Sequence, residues 1–137
     1  MKFEDFKKTG KVRSAQPDSQ KIKSMKELTS QDLEYLETQE VTNISARKIT
    51  TAYYDSLRTI LEAIALKKGY KIYEHEAYKF FLKEINEESI AGKFDRFRKI
   101  RNSINYYAKS ISPEETKEIV KDIKNLIKYL INKYLKE

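Results

Sequence analysis

Apolar residues recur along most of the chain at steps of three and four, the spacing of one face of an α-helix, and nowhere alternate for long enough to read as a strand. The first long helix is predicted from Pro17, a residue suited to an opening turn, to about Gln39, with Ile22, Met25, Leu28, Leu33 and Leu36 on its apolar face. A second begins at Asn43 as cap, carries the stripe Ile49, Tyr53, Leu57, Ile60, Leu61 and Ile64, and is closed by Gly69. Ala52, Ala63 and Leu66 make much of its opposite side apolar, so this helix is expected at the centre. A third spans about Glu74 to Asn86 with Tyr78, Phe81, Leu82 and Ile85 inward, and a fourth covers about Ile90 to Lys109. The fifth opens on "SPEE": Ser112 caps, Pro113 takes the first turn and Glu115 completes a capping box. Its stripe is Ile119, Ile123, Leu126, Ile127, Leu130 and Tyr134. Ahead of these helices, residues 1–16 read as an N-terminal extension with a short segment around Phe3 and Phe6 ending at Gly10. Short loops between amphipathic helices predict an all-α fold, a single domain over residues 1–137 arranged as an antiparallel four- or five-helix up-and-down bundle.

Composition supports this and narrows the function classes. Three glycines and two prolines in 137 residues leave little material for a β fold. No apolar run approaches the roughly 20 residues of a membrane span, and "MKFEDFKKTGKVRS" mixes acids with bases and has no apolar core of a signal peptide. With no cysteine there is no disulfide, thiolate metal site or cysteine nucleophile, and a cytoplasmic location is the default expectation. No Walker loop, dinucleotide fingerprint or nucleophile elbow is present, and "NEESIAGK" makes a poor helix-turn-helix turn. No spaced carboxylate or histidine set suggests a metal, and no cofactor is expected.

The charge is uneven. Lys and Arg number 28 against 21 Asp and Glu, a formal net charge of +7. Residues 27–42 hold Glu27, Asp32, Glu34, Glu37 and Glu40 with no base, whereas residues 93–101 hold Lys93, Arg96, Arg98, Lys99 and Arg101 against Asp95 alone. Three of the six arginines in the chain fall in those nine residues. A guanidinium is a planar fork of donors suited to phosphate.

Within the fourth helix the apolar steps run Ile90, Phe94, Phe97, then Arg101, then Ile104, Ala108 and Ile111. Arginine thus stands in the middle of a core-facing stripe, with Arg98 and Asn105 one turn to either side in a polar row. An unpaired guanidinium in a core costs several kcal/mol, so Arg101 needs either a carboxylate, with Asp55 and Glu62 as candidates, or a cleft open to an anion. A stripe interrupted by arginine is a poor interior seam but a tolerable interface, and Phe94, Phe97, Ile104 and Tyr107 are expected to give apolar area to a two-fold contact.

"RNSINYY" following "FDRFRKI" resembles the HEPN domains of prokaryotic toxin–antitoxin and defence systems, closest to small archaeal-type members with an "RNxINYY" helix. The resemblance extends over the acidic first helix, "TAYYDSLRTILEAIALKKGYK", "HEAYKFFL" and the "SPEE" start of the fifth. It implies a helical homodimer, often ribonucleolytic, whose motif is an arginine, a polar residue and a histidine four to six residues after the arginine. Arg101 and Asn102 match the first two elements, and Tyr106 stands at the usual histidine position. The resemblance implies that Arg101 grips phosphate, Asn102 orients a reactive group, and Arg96, Arg98, Lys99 and Asn105 extend the surface along RNA. It also implies, as a partner, a minimal nucleotidyltransferase antitoxin that modifies a tyrosine near the motif, here Tyr106 or Tyr107. A phenol is a poor base at neutral pH, so metal-independent ribonuclease activity is expected to be weak or absent. The alternative is a catalytically inactive bundle acting as a protein- or nucleotide-binding adaptor. His75, the one histidine, reads as a solvated helix-end residue whose loss barely alters activity, and Tyr53, Tyr78 and Tyr134 read as core. Glu87–Glu88 and Glu114–Glu115 read as loop and first-turn acids.

Overall fold

The computed structural model describes residues 1–136. In chain order it runs α1 (Phe3–Lys8), β1 (Val12–Ser14), α2 (Ser19–Glu37), α3 (Ala46–Lys67), β2 (Tyr70–Ile72), α4 (Ala77–Glu84), α5 (Glu88–Tyr107) and α6 (Pro113–Tyr134). The fold is mostly helical, as the periodicity predicts, with one small sheet that the periodicity does not predict.

The centre is α3. Its stripe is buried, and on its other sides Ala46, Ala63, Ala65, Tyr54 and Ser56 are buried too. α2, α5, α6 and β2 all pack against it. Between α3 and α6 the core holds a hydroxyl pair, Thr50 Oγ1 to Thr116 Oγ1 at 2.9 Å, and a bond from the Thr116 hydroxyl to the Ala46 carbonyl at 3.4 Å. With Thr116 donating to the carbonyl, the Thr50 hydroxyl donates to Thr116, and both buried hydroxyls are partnered.

Several boundaries differ from expectation for local reasons. α3 is not capped by Asn43, which is exposed; Thr42 and Ser45 instead close a reciprocal turn. The Thr42 amide donates to Ser45 Oγ at 2.9 Å and the Ser45 amide to Thr42 Oγ1 at 3.2 Å. Pro17 lies just outside α2, whose N-cap is Asp18, accepting from the Lys21 amide. Leu28 is 57% exposed, and its expected place on the α2 face is taken by buried Thr29, so the true stripe steps Ile22, Met25, Thr29, Leu33, Leu36. α4 is shorter than predicted, because residues before Ala77 form a turn that matters below. Ser112 caps α6 as expected, accepting from the Glu115 amide at 3.1 Å.

Glu87 is no loop acid. It is buried and accepts from Tyr129 at 3.1 Å, from Lys133 at 3.1 Å and from the Tyr134 hydroxyl, tying the start of α5 to the end of α6. Burial raises its pKa, and the hydrogen bonds from Tyr134, Lys133 and Tyr129 outweigh that and hold it below the ordinary glutamate value.

Residues 1–16 are not an extension. Phe3 and Phe6 are buried, Phe3 edge-on to Tyr70 at 5.3 Å and Phe6 against Phe80 at 5.3 Å. β1 pairs antiparallel with β2 in the register Val12↔Ile72, Arg13↔Lys71, Ser14↔Tyr70. Gly69, at φ +94°, makes the turn from α3 into β2, a conformation open to glycine at no steric cost. This pair anchors the segment from Tyr73 to Glu76 beside α5. Among the described residues, no helix is long and apolar enough to cross a membrane.

Candidate functional site

The α5 stripe faces its own subunit. Phe94 is 0% exposed, stacked on Tyr54 at 5.5 Å and edge-on to Tyr78 at 5.8 Å, while Phe97 is 2% and Ile104 6% exposed. These three side chains therefore have no area to give an interface, contrary to expectation: the core of α3 and α4 already uses them. Tyr107, at 74% exposed, and Tyr106, at 69%, are the free apolar surface at this end of the helix.

Arg101 interrupts that stripe where the core opens. It is half-buried, its guanidinium carbon 5.6 Å from the centre of the Tyr54 ring and 6.0 Å from that of Tyr106. Nη1 donates to Asn102 Oδ1 at 3.3 Å, and Nε is buried with no partner. Among the described residues no carboxylate lies within 4.0 Å of it. Neither expected bridge forms: Arg58 (3.2 Å) and Lys71 (3.5 Å) already hold Glu62, and Asp55, whose carboxyl feels the Arg101 charge, makes no ion pair with it.

Three of the other four α5 bases are engaged, while exposed Lys93 has no ion-pair partner among the described residues. Asp95, 7% exposed, collects Arg98 through Nε (3.1 Å) and Nη2 (2.9 Å), Lys99 at 3.2 Å and Lys79 at 3.6 Å. Burial raises the Asp95 pKa, but hydrogen bonds from Arg98 and Lys99 prevail and keep it below the usual carboxylate range. Arg96 reaches Asp122 at 3.8 Å and lies 5.0 Å over the Phe97 ring. The basic run that dominates the sequence is thus largely neutralised, and Arg101 is its half-buried exception.

Arg98, Arg101, Asn102 and Tyr106 form one wall of an open cleft of about 400 Å3, and Tyr73, Glu74, His75 and Glu76 form the other. Glu74 is held by Lys11 at 2.8 Å. Asn105 is elsewhere: it lines a separate recess with Arg47, Lys48 and Thr51, where the first turn of α3 forms the wall, so the predicted polar row is split.

His75 is not a solvated helix-end residue. It sits half-buried in the cleft, Nδ1 sharing a hydrogen bond with the Tyr54 hydroxyl at 3.1 Å. Burial, reinforced by the positive charges of Arg58, Arg101 and Arg98, pulls its pKa down to about 4. The imidazole is therefore neutral at physiological pH. Tyr54 is pushed up to about 12, mainly by burial, and remains a phenol. His75 is conspicuous in the sequence as the one histidine but its burial is not, and neither Tyr73 nor Tyr54 stands out there. The fold supplies what the sequence does not: α4 turns back on α5 about Asn86, which has a left-handed φ of +63°, setting Tyr78 opposite Phe94 and bringing the segment before α4 alongside Arg98 and Arg101.

Among the described residues no three His, Asp or Glu side chains gather to hold a metal ion. The α5 wall offers a guanidinium with no direct ion-pair partner, an amide, the Asp95-bound Arg98 and the Tyr106 ring, and the facing wall a neutral imidazole, the Tyr73 ring and the carboxylates of Glu74 and Glu76; an anion bearing flat apolar groups would seat on the α5 side. No family model, curated protein or solved structure matches the chain.

Proposed function

We propose that this chain is a cytoplasmic, RNA-associated protein of the HEPN type, from a toxin–antitoxin or defence system, whose α5 cleft seats a phosphodiester on Arg101. One observation carries the reading: a half-buried guanidinium with an unpartnered Nε, and no carboxylate within ion-pair distance among the described residues, opens on a cleft. A phosphate there supplies the negative charge that the fold withholds. Asn102 holds the guanidinium from one side, and Tyr106 and Tyr73 offer rings for bases at the rim. Two copies associate through the Tyr107 end of α5, and a minimal nucleotidyltransferase is the partner that modifies Tyr106 or Tyr107. With Tyr106 where the motif has histidine, cleavage is weak.

The adaptor reading draws on a different observation. Because Asp95 and Asp122 neutralise Arg98, Lys99 and Arg96, the cationic surface is narrow, which suits recognition of a single nucleotide phosphate as well as a strand.

The experiment is fluorescence anisotropy with a labelled single-stranded RNA over a salt series. Arg101→Ala weakens binding and lowers the salt slope by about 1, the signature of one lost phosphate contact. Unchanged affinity and slope in a folded Arg101→Ala variant overturns the phosphate assignment.

A further inference from the structure

We infer that His75, delivered from the turn between β2 and α4, is the proton-accepting group of this cleft, acting on the 2′-hydroxyl of an RNA whose phosphate sits on Arg101; the inference rests on the phosphodiester reading above. The placement comes from three elements. β2 and the turn after it carry His75 to the cleft wall, and α5 carries Arg101 to the facing wall. α3 supplies Tyr54, which is 1% exposed and locked by its stack on Phe94. That one ring serves both groups: its hydroxyl holds His75 Nδ1 at 3.1 Å, and its π system lies 5.6 Å from the Arg101 guanidinium. A base and a phosphate-binding cation are thus fixed relative to each other through a single immobile side chain, which is the rigidity that proton transfer in a bound complex requires.

The chemistry balances without a cofactor. The step uses the tautomer in which Nδ1–H donates to the Tyr54 oxygen, which leaves the Nε2 lone pair free to take a proton. Nε2 takes the proton of the 2′-hydroxyl as O2′ bonds to phosphorus. The bond from phosphorus to O5′ breaks, and O5′ leaves with a proton supplied by water in the open cleft. The products are a 2′,3′-cyclic phosphate and a 5′-hydroxyl, and the imidazolium returns its proton to solvent. Arg101 stabilises the charge that develops on the phosphorane oxygens.

The groups facing the imidazole set its behaviour. Arg58 of α3, and Arg98 and Arg101 of α5, oppose its protonation, while Glu62 of α3 favours it. Glu74 and Glu76 of its own turn line the same cleft, and the neutral rings of Tyr54 and Tyr78 pack on it. In the free protein the base is therefore unprotonated and ready, and the bound phosphate anion offsets the guanidiniums as the imidazolium forms.

The test uses the purified chain, a 5′-labelled single-stranded RNA and EDTA. His75→Gln is expected to lower cleavage at least ~100-fold, the usual scale for a lost general base, with the Kd for RNA held within about twofold. The wild-type rate rises with pH through the titration of the bound imidazole, and this acid limb disappears in the variant. RNA that is bound but uncut by the wild type, or cut equally by a folded His75→Gln, overturns the role of His75 and leaves phosphate binding standing. RNA that is not bound at all overturns both. Because the chain has one histidine, its ring resonance gives a second measurement independent of turnover. An RNA analogue with 2′-deoxyribose at every position shifts that resonance and raises its titration midpoint in the wild type but not in Arg101→Ala. A resonance indifferent to the analogue overturns the inference.

Discussion

Acidification should destabilise this fold through His75 before the carboxylates titrate. In the folded chain the pKa of His75 is about 4, pulled down chiefly by burial, against 6.5 for a free imidazole. The unfolded chain therefore binds more protons than the folded one between these values, and stability falls as pH falls through the window. Integrating that difference gives a loss of about 2 kcal/mol between pH 7.5 and 5, approaching about 3 kcal/mol near pH 4. Such a loss is a large fraction of the 5–15 kcal/mol that a domain typically commands. Asp95 and Glu87 have lowered pKa values, so their stabilisation is present above the unfolded carboxylate range and is lost only at more acid pH. Urea unfolding at about pH 7.5 and pH 5 separates these contributions when wild type and His75→Gln are measured side by side. Glutamine does not titrate, and every other group contributes to both proteins. The wild type is expected to lose about 2 kcal/mol more than the variant over this interval. Equal pH dependence in the two proteins refutes the burial of a neutral imidazole and the cleft geometry built on it.

Asp95→Asn should cost about 3 kcal/mol in urea unfolding, because it leaves Arg98, Lys99 and Lys79 converging on a site with no compensating charge. Phe6→Ala should cost roughly 3 kcal/mol or more, the scale for emptying a buried aromatic site, with a lowered Tm as the readout; a dispensable extension would show no change.

The long helices were legible because three turns or more of apolar residues leave little choice of element. α3 and α6 follow their predicted stripes, and "SPEE" located the start of α6 from residue chemistry alone. The β1–β2 pair was not legible. Three-residue strands are too short to display a period, and Val12 meets Ile72 across two intervening helices, α2 and α3. Leu28 misled because its polar neighbour Thr29 fits the α2 face better by position than leucine does by hydropathy. The neutralisation of Arg98 and Lys99 was readable in principle, since Asp95 precedes them by three and four residues, the spacing of neighbours on a helix. The third cation on Asp95, Lys79, comes from another helix and had no local signal.

Arg101 was visible as a break in a pattern, but only the three-dimensional arrangement separates its two explanations. A structural arginine needs a carboxylate, and Glu62 has its two oxygens occupied by Arg58 and Lys71. Asp95, the acid of α5 itself, is shared among Arg98, Lys99 and Lys79. Asp55, the other candidate, feels the charge of Arg101 but forms no ion pair with it, so the arginine on the core stripe is left without a direct carboxylate partner among the described residues. In place of a counter-ion it has an aromatic floor, Tyr54, which favours a weakly hydrated planar cation by about 1–2 kcal/mol without cancelling its charge. A carboxylate would have closed the site, whereas a ring keeps the guanidinium flat, fixed and electrically open. The same ring fixes the imidazole. Substituting Tyr54 would thus disturb cation and base together, which makes this buried phenol, rather than the conspicuous basic run of α5, the pivot of the cleft.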